Sequence, residues 1–234
     1  MLGLLSSHRL TFVDRQDVGG GVTSFAFRAS EGLAYRPGQH CMLAVSAIGR
    51  RPFSLASAPG EEHVLFGTSL TPRTGFKKRL DALTAGDELG MRGPIYSFGP
   101  EFAIDEAAPR LVMLAQGVGI TPFRSMLSHL DATSAETTTS LIHVAADGHA
   151  YRQDTERWAT DSAYLDGSEA FRSAVTAAAG QEHDATFYVA GAPGFVSATT
   201  RLLGECDVDP GRVRADKYWL FKGGKNLAAS ARGK

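Results

Sequence analysis

Arg51-Pro52-Phe53-Ser54-Leu55-Ala56-Ser57-Ala58-Pro59 sets a guanidinium, a flat aromatic ring and a hydroxyl within four residues of an extended stretch. A guanidinium fork suits phosphate oxygens, and an aromatic side chain suits a flat ring system. Taken alone, the same residues also fit a strand with an exposed arginine and a buried phenylalanine. Thr74-Gly75-Phe76-Lys77 adds a glycine at a helix start, where unpaired N–H groups at the positive end of the dipole form an anion site. For Lys78 and Arg79 the plain alternative is a solvated basic helix face. From Leu111 to Pro122 the chain runs as apolar strand, glycine turn and helix start. Gly117 and Gly119 there let backbone approach a pyrophosphate, and Pro122 suits a first helical turn, where its missing N–H costs nothing. Gly191 and Pro193 fit a tight turn at the carboxyl end of a parallel strand, the place where open α/β sheets bind ligands.

Two kinds of element must position these groups. From about residue 8 to 100 the chain alternates short β-rich stretches with turn residues such as Gly19-Gly20-Gly21, Pro37-Gly38 and Ala58-Pro59-Gly60. That grammar predicts an antiparallel β-barrel or sandwich. One short helix, Phe76 to Leu83, interrupts it, with Phe76, Leu80 and Leu83 as its apolar face. Beyond a boundary between Gly99 and Pro109, strands at 111–115, 140–145 and 186–190 alternate with helical stretches at about 122–130 and 194–204. Alternation of this kind predicts a parallel sheet with helices on its faces. Helices over 155–160 and 168–179, a short strand over 163–165 and a closing strand over 213–220 complete the expectation. The predicted division is residues 1–103 as the β unit, 104–221 as the α/β unit and 222–234 as a basic mobile tail.

Composition narrows the chemistry. The 234 residues are 43% hydrophobic and 21% charged, ordinary for a globular protein and far from a disordered one. Cys41 and Cys206 are too few for a cysteine-built iron–sulfur cluster, which takes four thiolates. The seven histidines show no ligand spacing with them, so no metal site is expected. No apolar run approaches the ~18 residues that could span a bilayer, and the N-terminus lacks a cleavage pattern. A soluble, cytoplasmic protein is the expectation. The net charge of −1 gives no nucleic-acid footprint, yet it is a cancellation: residues 1–103 carry +2, residues 104–221 carry −7 and the tail +4.

The motifs together resemble the ferredoxin–NADP reductase superfamily over roughly residues 8 to 221. Its flavin-binding barrel carries Arg-x-Tyr/Phe-Ser/Thr, often continued as Leu/Ile-Ala-Ser-x-Pro, and all those positions match from Arg51 to Pro59. Tyr35-Arg36-Pro37-Gly38-Gln39 resembles the family's preceding turn. The Gly-x-Gly-Ile-Thr-Pro at Gly117 to Pro122 resembles its nicotinamide-nucleotide signature, and Gly191-Ala192-Pro193 its later strand exit. The chain departs from the pattern at Ala190, where many members have cysteine, and at Ser97, where a glycine is usual. Since the cofactors carry the hydride, Ala190 implies altered positioning rather than inactivity.

The resemblance implies a flavin-binding antiparallel β-barrel followed by a nucleotide-binding α/β parallel-sheet domain. It implies FAD held by Arg51, Phe53, Ser54, Thr68, Ser69, Leu70, Gly75, Phe76 and Lys77. The nicotinamide nucleotide would be held by Gly117, Gly119, Thr121, Pro122, Asp147, Gly191 and Pro193. Ser54 would stand by the reactive flavin nitrogen, with Tyr218 as a lid over the ring; a plain last-strand aromatic is the alternative for Tyr218. NADPH-preferring relatives often present an arginine just after the second strand of the α/β unit; here alanine stands there with Asp147 after it, so NADH is expected over NADPH, with Arg152 as the counter-argument. The implied activity is electron transfer from NAD(P)H through flavin to a separate carrier such as a ferredoxin, a flavodoxin or an oxygenase component. Seven basic residues between Arg36 and Arg79, against Glu61 and Glu62 alone, suggest an acidic carrier. The alternatives are a reductase of small acceptors, or a non-catalytic subunit that keeps the flavin fold for docking. No oligomeric state is implied.

Overall fold

Period-2 burial writes the first half of the chain, and continuous apolar runs write the second. The computed structural model describes residues 7–45, 49–95, 102–181 and 184–217. The first sheet comprises β1 (Ser7–Asp17), β2 (Val22–Ala29), β3 (His40–Ala44), β4 (Arg50–Ser54), β5 (Val64–Ser69) and β6 (Glu88–Ile95), with α1 (Gly75–Asp81) before β6. Its order is β4-β3-β6-β1-β2-β5, with every pair antiparallel. Alternate residues such as Leu10 and Phe12, or Phe25 and Phe27, point into one core, joined there by Phe66, Leu89 and Met91. Phe76 and Leu80 of α1 belong to the same core. The sheet curls until its two edge strands meet: Ala56 N–H, just past β4, donates to Leu65 O of β5 at 2.8 Å. The result is barrel-like, and no β4–β5 ladder closes the seam among the described residues.

The second sheet is parallel, in the order β11-β10-β7-β8-β9. It comprises β7 (Arg110–Gln116), β8 (Thr138–Val144), β9 (Asp161–Leu165), β10 (Thr186–Gly191) and β11 (Val213–Lys217). Around it lie α2 (Thr121–Ala132), α3 (Arg152–Trp158), α4 (Ser168–Gln181) and α5 (Pro193–Glu205). Both faces of β7 are covered, so all of Leu111 to Ala115 is buried and apolar. One face packs on α2 with Phe123 and Leu127; the other packs on α4 and α5 with Val175 and Leu203. From β7 the chain winds outward to β8 and β9, then returns to β10 on β7's other side. The carboxyl ends of β7 and β10 therefore flank a topological switch point.

The helix expected over 76–83 is Gly75–Asp81, and the poorly patterned middle resolves into α3, β9 and α4. Gly19-Gly20-Gly21 does more than turn a hairpin. All three have positive φ, and a Cβ on Gly20 would lie 2.5 Å from Gly148 O, so this turn packs tightly on the second half. A linker residue, Ile104, is bonded by its N–H to Pro37 O at 3.0 Å, while Tyr188 OH donates to Ala103 O at 3.0 Å. No helix among the described residues is long and apolar enough to cross a membrane.

Candidate active site at the junction of the two sheets

β4 carries the start of the Arg51–Pro59 motif at the seam of the first sheet. Arg51 and Phe53 share one face of the strand, as period 2 requires. The Arg51 guanidinium lies 5.9 Å from the Phe76 ring centroid, and its Nη1 donates to Arg50 O at 2.9 Å. Phe53 is half-buried, stacked on Phe76 at 5.8 Å and set edge-on to Phe66 at 6.0 Å. Ser54 lies on the opposite face of the strand and is buried.

α1 offers less to an anion than its sequence suggests. Thr74 caps the helix by accepting the Lys77 N–H at 3.3 Å, which removes that donor from the expected phosphate set. The Lys77 ammonium donates to Thr71 O at 2.9 Å, and burial lowers its pKa. Phe76 turns its ring into the core, so only its backbone can serve a ligand. The first-turn N–H groups of Gly75 and Phe76 have no intrahelical acceptor. On β5, Thr68 and Ser69 are half-exposed; Thr68 Oγ1 donates to Ser69 O at 3.2 Å, Ser69 Oγ donates to Thr71 O at 3.2 Å, and Leu70 packs against the core.

The glycine turn after β7 is a short 3-10 segment, Gly117–Ile120, running directly into α2. Gly117 takes the left-handed φ of 51°, and a Cβ there would meet nothing within 4 Å, so its backbone is open to a ligand. Gly119 is the reverse: a Cβ would fall 2.3 Å from Ala190 O, so the turn can only close on β10 because the residue is glycine. Thr121 is buried and donates to Val118 O at 2.7 Å, so its hydroxyl shapes the turn. Pro122 lies in the first turn of α2, as expected. Across the switch point Gly191 packs against Gln116 and Phe195, and the Ala192 N–H reaches Gln116 Oε1 at 3.4 Å. Pro193 starts α5, and Asp147 is exposed just beyond β8.

The two halves meet at these same residues. A Cβ on Gly67 of β5 would lie 3.2 Å from Thr121 Oγ1. Burial pushes the carboxyl pKa of Asp216 of β11 up, with the nearby His40 and the Ser54 side chain opposing. Asp216 shares its sheet row with Ala190 and Ala115, toward the carboxyl ends of the strands.

No family model matches the chain. Among curated proteins it is similar to a flavohemoprotein of Bacillus subtilis, 28% identical over 208 residues that make up 77% of this chain and 48% of that protein. A flavohemoprotein of Deinococcus radiodurans is 30% identical over 147 residues, 58% of this chain and 36% of the relative. A ferredoxin–NADP reductase of Pseudomonas aeruginosa is 29% identical over 153 residues, 62% of this chain and 53% of the relative. The chain spans about half or less of the length of these relatives. Among solved structures, ferredoxin–NADP+ reductase from Plasmodium falciparum superposes with a TM-score of 0.73 at 15% identity, over 90% of this chain and 95% of that one. The flavohem-like FAD/NAD-binding domain of a Vibrio cholerae nitric oxide dioxygenase gives 0.70 at 19% identity, over 90% and 98%. The chain has the same fold as these reductase structures.

Within this ferredoxin–NADP reductase-like fold the donor set fits a flavin. Arg51 and the first-turn amides of α1 suit an anionic phosphate, while Phe53 and Ser54 offer a flat face and a polar one. Tyr218 lies outside the described residues, as do Tyr96, Ser97 and Phe98. Asp216 and His143 are among the groups that sequence reasoning missed. Asp216 stands two residues before Tyr218, and only the pairing of β11 with β10 carries it to Ser54. His143, buried in β8, is bonded through Nε2 to Gly117 O at 2.9 Å. The signal for it was a polar residue inside the apolar run Leu141 to Ala145. No group of three His, Cys, Asp or Glu side chains among the described residues is placed to hold a metal ion.

Proposed function

We propose that this chain is an FAD-dependent NAD(P)H oxidoreductase, with residues 1–103 holding the flavin and 104–221 the nicotinamide nucleotide. The observation that carries this reading is the 2.6 Å hydrogen bond from Ser125 Oγ of α2 to Ser57 O, which sets the loop leaving β4 against the helix that starts at the glycine turn of the parallel sheet. Bound flavin supplies hydride acceptance and electron release in one- or two-electron steps. The chain's own residues bind and orient. Arg51 and the α1 amides neutralise phosphate, Gly117 presents open backbone to the nucleotide pyrophosphate, and Gly119 keeps that turn tight on β10. Asp216, held toward its neutral form, can keep a proton at Ser54 within a site where burial strengthens such bonds.

NADH is the nucleotide this reading favours. The exposed carboxylate of Asp147 repels a ribose phosphate. Arg152, the cation that would offset it, lies over the Tyr164 ring at 4.7 Å and pairs with Glu156 at 3.4 Å. The acceptor is a separate, acidic electron carrier, supported by the exposed Arg50, Arg73, Lys78 and Arg79 near β4 and α1. Anaerobic stopped-flow mixing with NADH and with NADPH tests both parts. Fast flavin bleaching by NADH and slow bleaching by NADPH is expected, followed by electron transfer to an acidic carrier that falls as salt is raised. A purified protein that is colourless and takes up no added FAD defeats the reading. Turnover indifferent to any protein acceptor defeats the carrier part and leaves a reductase of small acceptors.

A further inference from the structure

We propose that Arg124 is a positioning residue that fixes the nucleotide turn against the flavin strand by gripping acids from both halves of the chain on one guanidinium. The proposal rests on the functional reading above. Arg124 sits three residues after Thr121, in the first turn of α2, and is 7% exposed. Its Nη1 donates to Glu61 Oε1 at 3.0 Å, to Glu61 Oε2 at 3.1 Å and to Ala56 O at 2.9 Å. Its Nε donates to Asp154 Oδ2 at 3.0 Å. The guanidinium also lies 5.2 Å from the Trp158 ring centroid and 5.6 Å from that of Tyr151, both negative aromatic faces.

The partners are as telling as the arginine. Ala56 follows Ser54 by two residues, and the 56–61 segment is held at several further points. Glu61 Oε1 accepts the Ala58 N–H at 2.6 Å and Ser128 Oγ at 2.8 Å, and Ser125 Oγ donates to Ser57 O at 2.6 Å. Ser57 Oγ in turn accepts the Leu65 N–H at 3.0 Å and meets Tyr35 OH at 2.9 Å. One face of α2 is thereby keyed to the loop leaving the flavin strand, while the start of the same helix forms the nucleotide turn. Apolar side chains would fill this interface without desolvating three charges, and a buried ion pair is weak as a source of stability. What the charges add is register. A planar fork reaching three acceptors in fixed directions allows one placement of α2, where a greasy contact would allow sliding. Hydride transfer needs reacting atoms ~3–3.5 Å apart, so small slides matter.

Arg124→Met, Arg124→Lys and Glu61→Gln test this in the flavin-loaded full chain. Arg124→Met should keep its flavin absorbance and slow flavin bleaching by NADH about 10–100-fold, the scale of an ångström-level misplacement, with KM for the nucleotide within about twofold. The long-wavelength charge-transfer absorbance of the nucleotide complex should weaken in step, and the amides of residues 55–58, 60 and 61 should exchange faster while those of β1 and β2 do not. Arg124→Lys keeps the charge without the fork and should recover only part of the rate. Glu61→Gln keeps its bonds to Ala58 and Ser128 and should lose less than Arg124→Met, so it carries the test if the methionine variant fails to fold. Unchanged bleaching in both Arg124→Met and Glu61→Gln overturns the proposal, as does a loss explained by a matching rise in KM. A wild-type protein that holds flavin but is bleached by neither nucleotide overturns the functional reading and the proposal with it.

Discussion

The Ser54 hydroxyl and the Asp216 carboxyl are neighbours across the junction of the two sheets, one from β4 and the other from the last described strand, and the Ser54 side chain favours the charged carboxylate. Burial raises the carboxyl's pKa more than His40 and Ser54 lower it. The folded state therefore binds this proton more tightly than the unfolded chain does. A raised pKa contributes stability that is complete below the ordinary carboxylate range and lost as pH rises through the folded value. Asp216→Asn removes that dependence. Its stability relative to wild type should improve from pH 4 to pH 8 in urea unfolding, and a difference constant across that range would contradict the assigned environment.

His143 titrates in the opposite sense. Burial and the neighbouring His149, its ring 4.9 Å away, push His143 down to about 4, against the pull of Gly117 O. Its neutral form, with Nε2–H on that carbonyl, is the one that shapes the glycine turn after β7. The stability it contributes is complete above the ordinary imidazole pKa and is lost as pH falls toward about 4, a loss on the order of 3 kcal/mol. His143→Gln can keep the donor without titrating. Its acid limb between pH 6.5 and 4 should be flatter than that of wild type by about that amount, read from denaturant midpoints.

Much of this was legible in the sequence, for physical reasons that differ by region. Leu111 to Ala115 read as a buried strand because both faces of β7 are covered, and Gly117 to Pro122 read as a glycine turn into a helix because glycine and proline mark such a junction. Arg124, Asp216 and His143 were not legible. Each acts through a partner distant in sequence, and nothing local distinguishes Arg124 from a solvated helix arginine until α2 is laid on the 56–61 loop. The α1 phosphate site was over-read. A Thr74 cap spends the Lys77 N–H, and Thr-x-x-Lys shows this only once the helix start is fixed at Gly75.

Gly119→Ala should be costly well beyond helix propensity. Its Cβ would stand 2.3 Å from Ala190 O and 3.1 Å from Gly191 Cα, both backbone atoms that cannot swing away. Overpacking of that kind costs about 1–3 kcal/mol or more. The alanine variant should unfold at visibly lower denaturant and bind NADH more weakly. Gly117→Ala, in open space but at a φ of 51°, should lose less stability than Gly119→Ala. Equal losses at the two positions would mean that strain, not contact with β10, governs the turn.

On the proposed function, replacing Arg51 is expected to separate flavin retention from fold. Its guanidinium rests beside Phe76 and bonds back to Arg50 O, so it is placed by its own strand and by the helix that offers the amides. Being half-exposed, its removal opens no core cavity, and Arg51→Ala should melt within about 0.5 kcal/mol of wild type. Hydrogen bonds to a charged phosphate are worth about 1.5–3 kcal/mol, which converts to roughly 10–200-fold in dissociation constant. Titration of apoprotein with FAD, followed by flavin fluorescence, should show that weakening in Arg51→Ala and a smaller one in Arg51→Lys, which keeps the charge but not the fork. Undiminished flavin affinity in Arg51→Ala would move the phosphate to the α1 amides alone. The expected ratio between the two variants is therefore a direct measure of how much the fork geometry, beyond its charge, holds the cofactor.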